Sequence, residues 1–152
     1  MNNDTCKTPD RDVTDVVNCT CANLRKATRV MTQVYDAALQ PTGLKSTQFT
    51  LLGTLDKLGG LPLTQLAAAM VMDRTTLTRN LKPLIRKGLI TIELEKDMRV
   101  RKIILTKAGK RLFKEARGQW EQVQLRIVNK LGPEKWTEFL DDLAETVSAI
   151  SR

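Results

Sequence analysis

Three cysteines and no histidine set the chemical range of this 152-residue chain. Without histidine the usual general base and the commonest transition-metal ligand are missing, which excludes Ser-His-Asp triads and His-containing zinc sites. The thiols of Cys6, Cys19 and Cys21 remain as the reactive side chains, suited to oxidation, thiol exchange or soft-metal binding. Arg25 and Lys26 stand about one helical turn from Cys19 and Cys21, and cations favour the reactive thiolate. If these residues share one regular helix, Cys21 falls at the border of its apolar stripe and Cys19 on the more exposed side. Two such thiols cannot meet, so a bridge would need Cys6, a small thiol or a second subunit. Three readings of Cys19 and Cys21 stay open: a redox sensor, a soft-metal or metalloid site, and inert side chains. An odd cysteine count with no export signal argues against structural disulfides and for a reducing compartment.

A second chemistry lies in the distribution of charge. Residues 61–111 hold 12 Lys and Arg against 4 Asp and Glu, while the other 101 residues hold 13 of each sign, so the whole net charge of +8 sits in one third of the chain. Within that third, Arg74, Thr75, Thr76, Thr78, Arg79 and Lys82 form a basic, hydroxyl-rich run, and Lys96, Asp97, Arg99 and Arg101 a second cluster. Lys and Arg neutralise phosphates, Arg binds guanine bidentately, and Thr donates to a base or touches a thymine methyl. Such a set suits double-stranded DNA. The bland alternative is a solvated helix face and a solvated hairpin tip.

The elements that would position these residues follow from periodicity. Apolar residues from Val13 to Leu39 recur at three- and four-residue steps, predicting one long amphipathic helix stopped by Pro41 and Gly43. Ser46 is the expected N-cap of a second helix, Thr47 to about Leu58, with Phe49, Leu51, Leu52 and Leu55 facing a core and Gly59-Gly60 at its end. After extended Leu61-Pro62-Leu63, Thr64 is expected to cap a short helix, Val71-Met72 to turn, and Asp73 to cap a helix reaching about Lys87 before Gly88. Leu77, Leu81, Leu84 and Ile85 are its expected buried stripe. A β-hairpin follows from Leu89–Leu94 and Arg101–Leu105, and Thr106 opens a helix to Leu131, with Gly132-Pro133 before a last one to Ile150. The apolar surface of the terminal helices exceeds what a small lobe can cover, which points to a homodimer; the alternative is that they fold back on their own core.

The expected fold is therefore mostly α with a small β-hairpin wing: a winged helix-turn-helix with N- and C-terminal dimerisation helices. Its organisation reads as a flexible lead over 1–12, an N-terminal dimerisation helix over 13–45, a DNA-binding lobe over 46–106 and C-terminal dimerisation helices over 107–152. The polar start is not a secretory signal, no apolar run approaches the ~18 residues of a membrane span, and a cytoplasmic protein without cofactor is expected.

Leu63-Thr64-Gln65-Leu66-Ala67, Asp73 to Arg79, Asp97-Met98-Arg99-Val100-Arg101 and Leu105-Thr106-Lys107-Ala108-Gly109 resemble the MarR family of bacterial transcription regulators. The resemblance implies an obligate homodimer, a recognition helix in each of two successive major grooves, wings reaching adjacent minor grooves, and an inverted-repeat operator. It implies DNA contacts from Thr64, Asp73, Arg74, Thr75, Thr76, Thr78, Arg79, Lys82, Lys96, Asp97, Arg99 and Arg101. Val100 stands where the family wing usually has a second acid, which leaves Asp97 alone to orient the wing arginine. Arg99 is expected at the tip and Arg101 as a brace or phosphate contact, the exchanged roles being the alternative. Repression is expected because such dimers occlude promoters, with release by cysteine oxidation or by a small aromatic or anionic ligand, for which Met31, Tyr35 and Phe49 are candidate lining residues. Alternatives from other classes are a winged-helix module for protein or RNA contacts and a thiol redox enzyme using Cys19 and Cys21; the CxC spacing without a thioredoxin-like strand pattern counts against the latter.

Overall fold

Local side-chain chemistry decides where the first helix begins. In the computed structural model, which describes residues 10–94 and 101–150, the Asp12 carboxylate accepts hydrogen bonds from the Thr14 N–H and hydroxyl (2.8 and 2.7 Å), and Asp15 accepts from the Val17 N–H (2.9 Å). These short polar side chains offer the backbone an alternative to the helical ladder. The expected helix from Val13 is thus broken: Val16–Asn18 forms one 3-10 turn, Cys19 is extended (φ −57°, ψ 117°), and α1 spans Thr20–Leu39. The Asn23 N–H and its side-chain amide both donate to the Cys19 carbonyl (3.0 and 2.9 Å), closing the first turn of α1.

The chain divides into a unit ending at Val34 and a second beginning at Tyr35. In the first, Val13, Val16, Val17 and Val30 are all exposed. In the second, α2 (Ser46–Leu58), β1 (Leu61–Pro62), α3 (Leu63–Ala69), α4 (Arg74–Arg86), β2 (Ile90–Leu94), β3 (Arg101–Leu105), α5 (Lys107–Leu131) and α6 (Pro133–Ile150) follow in order. Beyond the expected hairpin there is a third strand: the antiparallel sheet has the order β1-β3-β2, with Leu61 opposite Ile103 and Ile92 opposite Ile103 on the other side.

Two expected caps are corrected. Ser46 is the first residue of α2 and Lys45 its cap; the Ser46 N–H is taken by the Asp36 carboxylate of α1 (2.7 Å), which also pairs with the Lys45 ammonium (3.4 Å). A carboxylate from a neighbouring helix does the work that a local hydroxyl was expected to do, and favours the positive end of the helix dipole. Burial alone would raise the Asp36 pKa, but the hydrogen bonds from Ser46 and Lys45 outweigh it and leave it below the usual value. Thr64 lies inside α3, whose cap is Pro62, because the Pro62 backbone already leads directly into the helix.

The core is leucine-rich: Leu39, Leu44, Leu51, Leu52, Leu55, Leu66, Leu77 and Leu84 are almost wholly buried, joined by Phe49, Ile103, Leu105 and Ala116. All four α2 residues expected to face it do so. It fastens the sheet to α5 through Thr106, whose hydroxyl donates to the Gly88 carbonyl (2.7 Å) and accepts from the Gly109 N–H (3.0 Å) as the α5 N-cap. By contrast α6 has no buried residue, although its apolar stripe includes Phe139, Leu140, Val147 and Ile150.

Candidate nucleic-acid interface

The turn between α3 and α4 aims the basic helix. α3 ends in a Schellman motif, with the Met72 N–H donating to the Ala67 carbonyl (2.9 Å) and the Val71 N–H to the Ala68 carbonyl (3.1 Å). Val71 occupies the left-handed position at φ +49°, where a β-branched residue is strained. Asp73 is the N-cap of α4, as expected: its carboxylate accepts from the Thr76 N–H (2.8 Å) and the Thr76 hydroxyl (2.6 Å). Those two hydrogen bonds hold the Asp73 pKa below the usual carboxylate range. α4 closes with the same Schellman geometry, there with Gly88 at φ +66°.

On α4, Leu77, Leu81 and Leu84 are buried, while Arg74, Thr75, Thr76, Thr78, Arg79 and Lys82 are exposed, and so is Thr64 on α3. Ile85 is a correction. Expected in the buried stripe, it is 41% exposed, because at about 100° per residue it falls some 70° from the middle of the stripe set by the three leucines. The same wheel puts Thr75, Arg79, Lys82 and Arg86 within about 60° of one another, directly opposite the core. Arg86 thus shares the basic face, although it was not among the residues expected there. No acid interrupts α4.

The hydroxyls differ in what they can still offer. Thr76 donates to Asp73 and Thr78 donates to the Arg74 carbonyl (2.7 Å), so both present methyl groups and lone pairs. Among the described residues the Thr75 hydroxyl has no intramolecular partner, leaving it a donor. Arg101 is exposed at the first position of β3, opposite Leu94. Lys96, Asp97 and Arg99 lie outside the described residues, as does Cys6.

Cys19 and Cys21 are both free and exposed. Since Cys19 precedes the helix, the wheel position expected for it does not hold. Among the described residues no group of three or more His, Cys, Asp and Glu side chains could hold a metal ion, and no helix is long and apolar enough to cross a membrane.

A hollow of about 570 Å³ opens between α2 and α5, lined by Phe49, Thr50, Gly53, Thr54, Lys57, Phe113, Arg117 and Trp120. Phe49 packs at 4.9 Å from Phe113 and stacks at 5.7 Å on Trp120, ring centre to ring centre, so three rings form one wall. Of the lining residues named from the sequence, Phe49 is present. Tyr35 is half-buried and donates to the Gln124 side-chain oxygen, and burial raises its pKa. Met31 is half-buried in the first unit. Phe113, Trp120, Lys57 and Arg117 were not anticipated, since only the packing of α2 on α5 brings them together.

The geometry agrees with the comparisons. The model of the MarR family matches residues 44–97. The Mycobacterium tuberculosis transcriptional regulator MosR is 33% identical with a TM-score of 0.77, and its complex with DNA gives 35% and 0.79, each covering 88% of this chain and 96% of that one. The HTH-type transcriptional regulator YwoH of Bacillus subtilis is 24% identical over 129 residues, 85% of this chain and 88% of its own. CouR from Rhodococcus jostii, in a structure bound to p-coumaroyl-CoA, shares the fold at 21% identity and a TM-score of 0.72, over 86% of this chain and 92% of that one. With its exposed, acid-free α4 behind a capped turn and its three-stranded wing sheet, this chain belongs to the MarR family of transcriptional regulators.

Proposed function

We propose that this protein is a homodimeric repressor that binds an inverted-repeat operator in double-stranded DNA, with α4 of each subunit in one of two successive major grooves. The observation that carries the reading is the face of α4 formed by Thr75, Arg79 and Lys82, exposed, basic and opposite the core. Asp73 and Thr76 hold the first turn of that helix, so that Arg74, Thr75 and Thr78 meet base edges while Arg79 and Lys82 engage base or phosphate. Thr64 and Arg101 flank the site as phosphate contacts, and Lys96, Asp97 and Arg99, outside the described residues, are the expected minor-groove contacts. Residues 46–106 are the DNA-binding lobe, and 13–45 and 107–152 the dimerisation segments. The exposed apolar stripe of α6 supports the dimer: Phe139, Leu140, Val147 and Ile150 offer a face that a second chain would cover. Two symmetric recognition helices set half-site centres about 10 bp apart.

Release of the DNA follows one of two routes. A small aromatic anion suits the hollow walled by Phe49, Phe113 and Trp120 with Lys57 and Arg117 among its lining; it shifts the dimer only by binding its two spacings unequally. Alternatively, a hydroperoxide transfers an oxygen to the exposed thiolate of Cys19 or Cys21, leaving an alcohol and a sulfenic acid, which a second thiol converts to a disulfide with loss of water. Fluorescence-anisotropy titration of reduced and peroxide-treated protein on duplex from its own upstream region tests both function and route. Release that Cys19→Ser or Cys21→Ser abolishes establishes the thiol route, and equal binding by both forms makes the cysteines structural and turns the search to small-molecule ligands. Arg79→Ala should weaken operator binding by more than ~1 kcal/mol and Lys114→Ala should not; equal effects sink this DNA-binding face.

A further inference from the structure

We infer that the C-terminal half of α4 is a second DNA contact, seating the sugar–phosphate strand that flanks the major groove, with Arg79, Lys82 and Arg86 on phosphates and Pro83 and Ile85 against deoxyribose. The inference rests on the operator reading above and extends it to Pro83, Ile85 and Arg86, none of which the sequence placed on DNA. Arg79, Lys82, Pro83, Ile85 and Arg86 line a hollow of about 400 Å³. Its lining joins three cations to two apolar side chains, and among the described residues none of the three cations has a carboxylate within salt-bridge distance. Neighbouring Lys87 is different: its ammonium donates to the Gly43 carbonyl (2.8 Å) and is tied to the corner between α1 and α2.

Charge complementarity calls for an anion, and the apolar lining calls for one that alternates charge with hydrocarbon. The DNA backbone does so at every nucleotide. Length supplies the second argument. The 13 residues of α4 extend about 20 Å at 1.5 Å per residue, whereas the major groove is about 12 Å wide. If the N-terminal turns read base edges, the last turns of a helix that crosses the groove must overhang its edge. From Arg79 to Arg86 the rise is about 10 Å, so the three cations are spread along that overhang. Pro83 fits the same use. It gives up one helical hydrogen bond to the Arg79 carbonyl, a change that is normally costly inside a helix, and adds an apolar ring to the lining of the hollow.

Operator and random duplex are titrated across a salt series with wild type, Arg86→Gln, Ile85→Ser and, as control, Lys114→Gln. Arg86→Gln should weaken both duplexes equally and make the log–log salt slope shallower by about 0.9, the loss of one phosphate contact. Ile85→Ser should weaken both several-fold at unchanged slope, and the control should match wild type. A wild-type slope for Arg86→Gln, or wild-type affinity for Ile85→Ser, overturns the inference. If wild type itself fails to prefer operator over random duplex, the operator reading falls, while the slopes on random duplex still judge the groove.

Discussion

A single methyl group at Gly109 should unfasten the wing from α5. A Cβ built there would lie 2.0 Å from the Leu89 carbonyl oxygen and 2.8 Å from Leu105 Cδ1. Relief needs a shift of more than an ångström in the backbone, since the obstructing oxygen is not at the end of a flexible side chain. That oxygen accepts from the Thr106 N–H (3.0 Å) and the Thr106 hydroxyl (3.1 Å), so moving it breaks the junction between the end of α4, the sheet and α5. One lost hydrogen bond, that from the Thr106 N–H, at about 1 kcal/mol and overpacking of about 1–3 kcal/mol give a cost of about 2–4 kcal/mol for Gly109→Ala, the Thr106 hydroxyl keeping its shorter bond to Gly88. This is a large part of the 5–15 kcal/mol typical of a folded domain. Gly118 on the same helix is the internal control: nothing lies within 4 Å of its added Cβ, so Gly118→Ala should be neutral or stabilise by up to about 1 kcal/mol through helix propensity alone. Urea denaturation at one fixed protein concentration, followed by circular dichroism, reads both. A Gly109→Ala midpoint within error of wild type would refute the close-contact argument.

Val71 and Gly88 hold the same left-handed position in two Schellman turns, and Val71→Gly should therefore stabilise by about 1 kcal/mol, seen as a higher thermal midpoint; a lower one would show that φ +49° is not strained. Asp73→Ala should destabilise by removing the α4 cap, seen as a lower urea midpoint. Because the folded Asp73 pKa is depressed, the cap's extra stability is present above the unfolded value near about 3.9 and is lost as pH falls through the folded pKa. Stability curves of wild type and Asp73→Ala should accordingly converge in acid, and a constant gap from pH 6 to pH 2 would count against the carboxylate's role. Lys87→Met should destabilise by about 1 kcal/mol through the lost Gly43 contact while changing the salt slope of DNA binding less than Arg86→Gln does; the reverse order would mean that Lys87 faces the DNA.

Much of this protein was legible before any coordinates, and the legible parts share a cause. Asp73 before Arg74-Thr75-Thr76, Gly88 after Lys87 and Thr106 three residues before Gly109 are cap signatures, whose hydrogen bonds close within a few residues. The buried stripe Leu77, Leu81 and Leu84 follows from helical period, and the exposed basic face of α4 follows from it. Local misreadings arose where two chemistries competed. Asp12 and Asp15 capture nearby N–H groups and leave Cys19 outside the helix, and Ile85 sits just past the edge of a stripe that apolar character alone could not bound.

Other features depend on residues far apart in sequence. Asp36 caps α2 from the preceding helix, Leu61 adds a strand to the wing through Ile103, and Phe49 meets Phe113 and Trp120 only because α2 packs on α5. Gly109 must be glycine because the Leu89 carbonyl, twenty residues away, lies against it. Periodicity and caps report which way a side chain faces along its own element, whereas distances between elements are set by packing, and it is packing that made the aromatic hollow and the groove on α4.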